Sequence, residues 1–576
     1  MPSLRILLAV IPLAGLCACA TRSLDAAAVP GARFAGSRSA TDSSYGLFLA
    51  GQAAINGGRG EAASAYFARA AALEPGADAR FLDSRAFSAA LLAGDVRKAA
   101  VLAPTGVSPE PGAVHLGAIV RGAEALAEGD GKRARAALTG PDVGAPHQGV
   151  AALLAPWAAA AAGDAEGAIV HPVIAGEPIS QFFANLDQGK LFEHARRYDE
   201  AETAFRSLIA SGDPGGIASI NLGELLERRG RGAEAVAIYD RALARNPADG
   251  ALMAARTRAA SHGAPPALPS IRQSAAEALI APATILIIQK QQEMALAYLR
   301  LALRLDPGRD EAWTLVGDIM SNIGDLDAAR AAYRMPKSGS DQYIAARGKL
   351  AWTYQTAGDK DSALRIARET FGAAPANLDA ATALADLLRA DERYDDSVKV
   401  LDRLIADQGD HADWRLLYMR AVDFQQSDRW AEAERDLAAA LKLRPDEPEL
   451  LNFLGYSWID RGEKLPQAMA MVKKAVDLNP RSGAMLDSLG WGYYRLGDYK
   501  TAVEKLEAAV VLEAADPDVN NHLGDAYWRA GRRVEAQFQW HRVLTLSPTA
   551  KLRAEAEDKL QRGLDRSLSP AIVAGS

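Results

Sequence analysis

Apolar residues recur along this chain at helical spacing, and the pattern itself returns about every 34 residues. Near the C-terminal end, Leu489-Gly490-x-x-Tyr493 reappears one period later as Leu523-Gly524-x-x-Tyr527. Alternation of apolar and polar residues, the mark of a half-buried strand, is scarce. Each period therefore predicts one helix, a turn and a second helix, with almost no strand.

Small residues set the register over most of the length. We number the positions of one period so that Gly490 is position 8, and position 20 in the second helix is then held by Ala201, Ala235, Ala295, Ala329, Ala363, Ser397, Ala433, Ala468, Ala502 and Ala536. Most of these residues are separated by one full period, and Leu454-Gly455 sits one residue out of step, which predicts a one-residue insertion in that turn. We expect positions 8 and 20 to lie where paired helices approach closely, and we count about fourteen helix pairs.

This pattern resembles the tetratricopeptide repeat over roughly residues 45–560. The resemblance implies an all-α fold, a tetratricopeptide-type α-solenoid in which helix–turn–helix pairs form a right-handed superhelix. Its concave face is lined by the first helices and binds other proteins. We expect an N-terminal array over 45–260, degenerate around 80–175, then a C-terminal array with a capping helix over 271–562 and a flexible tail over 563–576.

The array is interrupted between Ala235 and Ala295, whose separation is longer than one period and shorter than two. The excess includes a segment rich in Pro and Gly, Ser261 to Pro269, whose composition breaks helices. Residues 261–270 are either a hinge between two arms or a long loop inside one continuous superhelix.

The N-terminus has the features of an export signal. One Arg precedes about a dozen apolar residues, and Leu16-Cys17-Ala18-Cys19 resembles the lipobox of bacterial lipoproteins. We predict a signal peptide over 1–18, lipid attachment at Cys19, a flexible tether over 19–44 and an outer-membrane position facing the periplasm. The alternative is an ordinary cleaved signal. No later apolar stretch is expected to be long enough to cross a bilayer.

Composition and charge exclude several functions. The net charge is −7 and no basic cluster is present, so we expect no nucleic-acid binding. The two cysteines both precede residue 20 and the eight histidines lack ligand spacing, so we expect neither metal nor cofactor. No motif for a nucleophile, a phosphate loop or a metalloprotease occurs, and we predict that the protein is not an enzyme.

Binding should therefore be sought at the concave positions 2, 5, 9, 12 and 13 of the repeat. In the last three repeats these positions hold polar and aromatic residues that packing does not require. Carboxamides can bond a peptide backbone, and Trp and Tyr are frequent anchors. The alternative for Trp491 and Trp528 is that they cover a neighbouring repeat or the C-terminal cap. The predicted groove residues are Asn452, Tyr456, Asp487, Trp491, Tyr494, Asn521, Asp525 and Trp528.

The same region carries a more specific resemblance. Leu454-Gly455-Tyr456, residues 487–491 (DSLGW) and residues 522–528 (HLGDAYW) resemble the C-terminal part of large outer-membrane tetratricopeptide lipoproteins of Gram-negative bacteria. Some of these relatives are adaptors that hold a periplasmic carboxyl-terminal processing protease and present peptidoglycan hydrolases to it. The resemblance implies a scaffold with such partners. Two alternatives are an assembly or export factor for a pilus or polysaccharide, and a peptidoglycan-binding wall anchor.

Overall fold

The computed structural model describes residues 43–565, except for 75, 108–109, 171–173, 175–177, 248 and 410–411. All regular elements of the described residues are helices, and no strand occurs among them. The predicted signal peptide, Cys19 and the tether up to residue 42 lie outside the described residues, as does the tail from residue 566. The fold is a tetratricopeptide-type α-solenoid built from helix–turn–helix pairs.

The described chain divides into two compact units, with the division after Asp359. The first unit contains α1 Ser44–Asn56, α2 Gly60–Ala71, α3 Ala77–Ala93, α4 Val96–Leu102, α5 Pro111–Ala127, α6 Gly131–Leu138, α7 Gln148–Ala161, α8 Ala165–Ala168, α9 Pro178–His194, α10 Tyr198–Ser211, α11 Ile217–Arg228, α12 Gly232–Leu243, α13 Gly250–Ala260, α14 Ile271–Ala278, α15 Ile280–Ile288, α16 Gln292–Leu305, α17 Asp310–Asn322, α18 Leu326–Tyr333 and α19 Tyr343–Thr356.

The second unit begins at Lys360. Its main helix contacts join helices one or two apart along the chain. It contains α20 Lys360–Ala373, α21 Leu378–Ala390, α22 Tyr394–Gln408, α23 Trp414–Gln426, α24 Trp430–Leu443, α25 Pro448–Arg461, α26 Leu465–Leu478, α27 Gly483–Arg495, α28 Tyr499–Leu512, α29 Pro517–Arg529, α30 Arg533–Thr545 and α31 Ala550–Arg562.

Glycine at position 8 allows the two helices of a pair to approach closely, as expected. A Cβ built on Gly490 would lie 2.6 Å from Cγ of Leu506, and one on Gly524 would lie 2.5 Å from Nε1 of Trp540. The alanines at position 20, such as Ala502, are fully buried in the same interface. Any larger side chain would push the helices apart, because such interiors are close-packed.

The one-residue insertion lies in the turn between α25 and α26. Gly455 faces Val472, one position further along the chain than the partner that position 8 faces in the following pairs. In this turn both Gly462 and Lys464 adopt positive φ, 71° and 45°. The extra residue is therefore absorbed in left-handed backbone, and the register of α26 is restored before its buried alanine, Ala468.

After residue 260 the chain runs back along the first unit in reverse order. Arg228 Nη1 donates to the carbonyl oxygen of Pro266 at 3.1 Å. Further along, α14 packs against α9 and α7, and α16 packs against α5 and α3. Residues 261–305 thus cover helices of the preceding array, from α11 back to α3.

Buried polar contacts hold this returning segment. Lys190 Nζ pairs with Glu277 Oε1 at 2.9 Å, and His147 Nδ1 lies 2.6 Å from the hydroxyl of Tyr298. A bidentate ion pair joins Arg304 to Glu124 of α5 at 2.7 and 2.8 Å, and Arg300 Nε donates to the Leu92 carbonyl at 3.1 Å. Because α16 is also apolar and buried on nearly all sides, it belongs to the core of the first unit.

Residues 261–270 connect helices that pack within one compact unit. Both expectations for this segment, a hinge between two arms and a long loop inside one continuous superhelix, stay predictions. The structure also corrects the expectation about later apolar stretches. Ile271–Ile288 is long and apolar enough to cross a membrane by length and composition. Half of it is buried inside the protein, as a core helix would be.

Candidate functional site

The two units differ in what remains accessible at the concave positions of their first helices. In the first unit, Lys190 at position 9 and Arg228 at position 13 are engaged by the returning segment. In the second unit, position 9 of α25 and of α27, held by Tyr456 and Trp491, keeps part of its surface exposed. Positions 9 and 13 of α29, by contrast, are engaged by the C-terminal end of the chain. The predicted groove residues all belong to these three helices.

Four of the eight predicted residues are buried, which sequence alone did not indicate. Asp487, Tyr494, Asn521 and Asp525 are each less than a tenth exposed. The remaining four are half-buried and keep part of their surface accessible: Asn452, Tyr456, Trp491 and Trp528. The first four therefore support the surface from within, and the second four can touch a partner.

Trp491 is the centre of an aromatic stack. Its ring lies 4.6 Å from that of Tyr494, with an interplanar angle of 9°, and 4.2 Å from the imidazole of His522, at 19°. Tyr456 lies beyond His522 at a ring distance of 6.5 Å. Side chains from three successive first helices thus form one continuous aromatic cluster, of which only Tyr456 and Trp491 are partly exposed. We call this cluster the aromatic stack: Tyr456, Trp491, Tyr494 and His522.

A buried ion pair fixes this stack. His522 Nδ1 lies 2.9 Å from Oδ2 of Asp487, 35 residues earlier. Burial lowers the pKa of His522, but the charge and hydrogen bond of Asp487, with Asp525 and Asp518, outweigh it, and the net pKa is raised. The imidazole is thereby favoured in its protonated form, with a carboxylate partner on one side and the Trp491 ring on its face.

The C-terminal helix supplies a second buried cation. Lys559 of α31 is 2% exposed, and its Nζ donates to Asn521 Oδ1 and Asp525 Oδ2, both at 2.9 Å. Asp525 also accepts a hydrogen bond from Trp540 Nε1 at 3.0 Å. Two predicted groove residues are consequently committed to holding α31 against α29.

Trp528 packs against the C-terminal end of the described chain, which was the alternative interpretation to a groove residue. Its Nε1 donates to Asp565 Oδ2 at 3.0 Å, and the guanidinium of Arg533 lies 3.7 Å from its ring centroid. A Cβ on Gly563, just after α31, would come within 2.5 Å of the same ring. The available part of the predicted site is thus centred on Tyr456 and Trp491.

Sequence reasoning missed the roles of His522 and Lys559. A usable signal was present, because Lys559 follows Asp525 by 34 residues and so occupies position 9 of one further first helix. Since α31 stands where that next first helix would stand, its position-9 side chain points back at the preceding repeat. No group of three or more potential metal ligands occurs among the described residues.

Comparison with known proteins agrees with this architecture. A protein-family model described as tetratricopeptide repeat matches residues 186–250, 349–413 and 418–482, and a second one, described as TPR repeat, matches residues 492–531. The chain contains tetratricopeptide repeats. A similar protein is the TPR repeat-containing protein PA4667 of Pseudomonas aeruginosa, 36% identical over 113 residues, which are 20% of this chain and 19% of that protein. The match thus spans about a fifth of the relative's length.

Solved structures are similar at the level of the fold alone. The crystal structure of the APC/C hetero-tetramer Cut9-Hcn1 covers 90% of this chain and 96% of its own, with 15% identity and a TM-score of 0.38. PilF of Pseudomonas aeruginosa covers 38% and 97%, with 18% identity and a TM-score of 0.32. Both TM-scores are below 0.5.

Proposed function

We propose that this protein is a membrane-anchored periplasmic scaffold whose second unit binds a partner protein through the concave positions of α25, α27 and α29. One observation carries the proposal. Helices α3, α5, α7, α9 and α11 of the first unit are contacted by residues 261–305 of the same chain, whereas the aromatic stack of the second unit keeps part of Tyr456 and Trp491 accessible. Rigid aromatic rings at such a surface are favourable binding anchors.

The adaptor role is the finer part of the proposal. It rests on the resemblance of residues 454–456, 487–491 and 522–528 to outer-membrane tetratricopeptide lipoproteins. In this role the protein would bring a carboxyl-terminal processing protease to peptidoglycan hydrolases. Partners of such scaffolds differ while the fold stays the same, so the partner has to be identified experimentally.

Crosslinking in living cells followed by mass spectrometry tests the proposal. The wild type is compared with Trp491→Ala and with Phe538→Ala, a control aromatic that is 68% exposed on a second helix, α30. We expect a protease and wall hydrolases to be captured by the wild type and the control, and to be lost from Trp491→Ala. The circular dichroism spectrum of Trp491→Ala has to show that this variant is still folded at the growth temperature, because the Trp491 ring also packs against the core. If Trp491→Ala captures the same partners as the wild type, binding at this surface is refuted.

The same experiment separates the alternatives. Capture of secretion or pilus components in place of a protease would favour an assembly or export factor. Sedimentation of the purified protein with peptidoglycan, lost in Trp491→Ala, would favour a wall anchor.

Anchoring is tested independently through Cys19. Because stable attachment requires acyl chains on this residue, Cys19→Ser should move the protein from the membrane to the soluble fraction. Continued membrane association of the Cys19→Ser protein would contradict the lipid anchor while leaving the scaffold proposal intact.

A further inference from the structure

The concave positions of the second unit carry an excess of negative charge. Positions 2, 5, 9, 12 and 13 of α21, α23, α25, α27 and α29 hold seven carboxylates and four guanidinium groups: Asp379, Asp386, Glu449, Asp460, Asp487, Asp518 and Asp525, against Arg389, Arg415, Arg495 and Arg529. The excess matters only if the arginines do not project freely toward a partner, and their contacts decide this.

The arginines at these positions are held by the protein itself. Arg389 Nε donates to the buried Asp423 at 2.7 Å, and Arg415 bonds Asp413 at 3.1 Å. Likewise Arg495 Nη1 donates to the Asp460 carbonyl at 2.7 Å. The fourth, Arg529, pairs with Asp565 at 2.7 Å. A partner would therefore meet few free cations here. Three of the seven carboxylates are paired as well: Asp386 with Arg389, Asp487 with His522 and Asp525 with Lys559.

The carboxylates are concentrated around the aromatic stack. Burial raises the pKa of Tyr456, and the negative charges of Asp460, Asp487 and Asp518 raise it further. Of these three, Asp487 is neutralised by His522, whereas Asp518 is exposed and makes no ion pair with a described residue. One side of the aromatic stack thus carries a carboxylate that is not held in an ion pair. Burial raises the pKa of Asp518, and the nearby charge of His522 offsets only part of that rise.

The chain itself demonstrates which chemistry these positions accept. The ammonium of Lys559 is held between position 5, Asn521, and position 9, Asp525, at 2.9 Å from each. One repeat earlier, the imidazole of His522 is held between Asp487 at position 5 and Trp491 at position 9. In both cases a cation enters between these two positions.

We propose that the concave surface formed by α25, α27 and α29 recognises a partner segment bearing Lys or Arg side chains, which lie over the ring of Tyr456 beside the exposed edge of Trp491 and pair with Asp518. Both faces of the Trp491 ring are already covered, by Tyr494 and by His522. This inference rests on the proposed function and specifies the chemistry of the partner. A cation over an aromatic face beside a carboxylate gains from both interactions, whereas an acidic segment would be repelled.

A random 12-residue peptide display library, selected on the full chain, provides the test. Enriched peptides are measured by fluorescence anisotropy against the wild type, Trp491→Ala, Asp518→Lys and Asp518→Asn. The matched control is Asp477→Lys, which makes the same charge change at an exposed residue of a second helix, α26. Circular dichroism spectra and melting temperatures verify that each variant is folded at the assay temperature.

We expect the peptides that depend on Trp491 to carry net positive charge. Their affinity should fall at least tenfold in Asp518→Lys, less in Asp518→Asn and less than twofold in Asp477→Lys. It should also fall at least fivefold between 50 and 300 mM NaCl, because charge pairing at an exposed surface is screened by salt.

Two other outcomes are informative and distinct. Peptides that require Trp491 but are neutral or acidic, and that bind Asp518→Lys normally, would overturn the charge inference and leave the proposed function standing. If no enriched peptide depends on Trp491, both the inference and binding at this surface are overturned.

Discussion

Replacing Lys559 with Met should loosen the C-terminal end of the second unit. The ammonium is 2% exposed and donates to Asn521 and Asp525, and the Asp525 side chain is 6% exposed. Removing one partner of a buried ion pair costs about 3–5 kcal/mol. Because Asp525 keeps the hydrogen bond from Trp540, we expect Lys559→Met to lower the local free energy of unfolding by about 3 kcal/mol, the lower end of this range.

Amide hydrogen exchange measured by mass spectrometry gives the local stability. A loss of about 3 kcal/mol corresponds to roughly 100-fold faster exchange through opening of α29 and α31. The control is Lys551→Met, an exposed lysine of the same helix, for which we expect little change. Adding Asp525→Asn to Lys559→Met should restore part of the protection, since no buried charge is then stranded.

The outcome that would refute this reasoning is specific. If exchange in α29 and α31 of Lys559→Met accelerates no more than in the Lys551→Met control, the buried pair contributes nothing and α31 is held by its apolar contacts alone.

Three further tests address buried charge and packing. The pKa of His522 is raised in the folded state. Its pairing with Asp487 therefore stabilises the fold fully below about pH 6.5, and this stabilisation is lost as pH rises through the folded pKa. The melting temperature of the second unit should therefore fall between pH 6 and 9, and His522→Gln should flatten that slope; equal slopes would disprove the link. Burial raises the pKa of Asp187 to about 7, so its ionisation destabilises the first unit as pH rises from about 4 to 7. Asp187→Asn should stabilise that unit at pH 8, by up to about 4 kcal/mol, and have little effect at pH 4, as measured by urea unfolding. Gly490→Ala should cost about 1–3 kcal/mol by overpacking against Leu506, whereas Gly372→Ala, where a Cβ meets nothing within 4 Å, should be neutral or stabilising by thermal melting.

The local geometry of the repeats could be predicted from sequence because it depends on neighbours. Gly490 faces Leu506 of the next helix, so one period of the pattern contains both members of the contact. The insertion after Gly455 was visible for the same reason. Such contacts recur in every repeat, and their residue types are therefore periodic.

The return of residues 261–305 could not be predicted, because its contacts have no periodicity. Glu124 and Arg304 are 180 residues apart, and each looks in sequence like an ordinary solvated charge on an amphipathic helix. Nothing in the spacing of either residue indicates a partner. The helix breakers at 261–269 indicated an interruption but not the direction that the chain takes afterwards.

The candidate site was partly predictable. Repeat register placed Trp491 and Tyr456 at position 9 of first helices, one residue after the glycine that packs against the second helix, and both side chains are half-buried in the structure. That they line a binding groove stays a prediction. The burial of Asn521 and Asp525 could not be predicted from the repeat register, because it depends on one side chain, Lys559, at the end of the array.

The reversed path of residues 261–305 gives the two units different folding problems. Most repeat arrays fold through contacts between adjacent repeats, and growth can begin anywhere along the chain. The second unit follows this rule, with contacts such as Lys559 to Asn521, 38 residues apart. In the first unit the bond from Arg300 to Leu92 closes a loop of 208 residues. Folding slows as contacts become more distant in sequence. During synthesis, α3 and α5 therefore cannot form these contacts until α16 has been made, long after them.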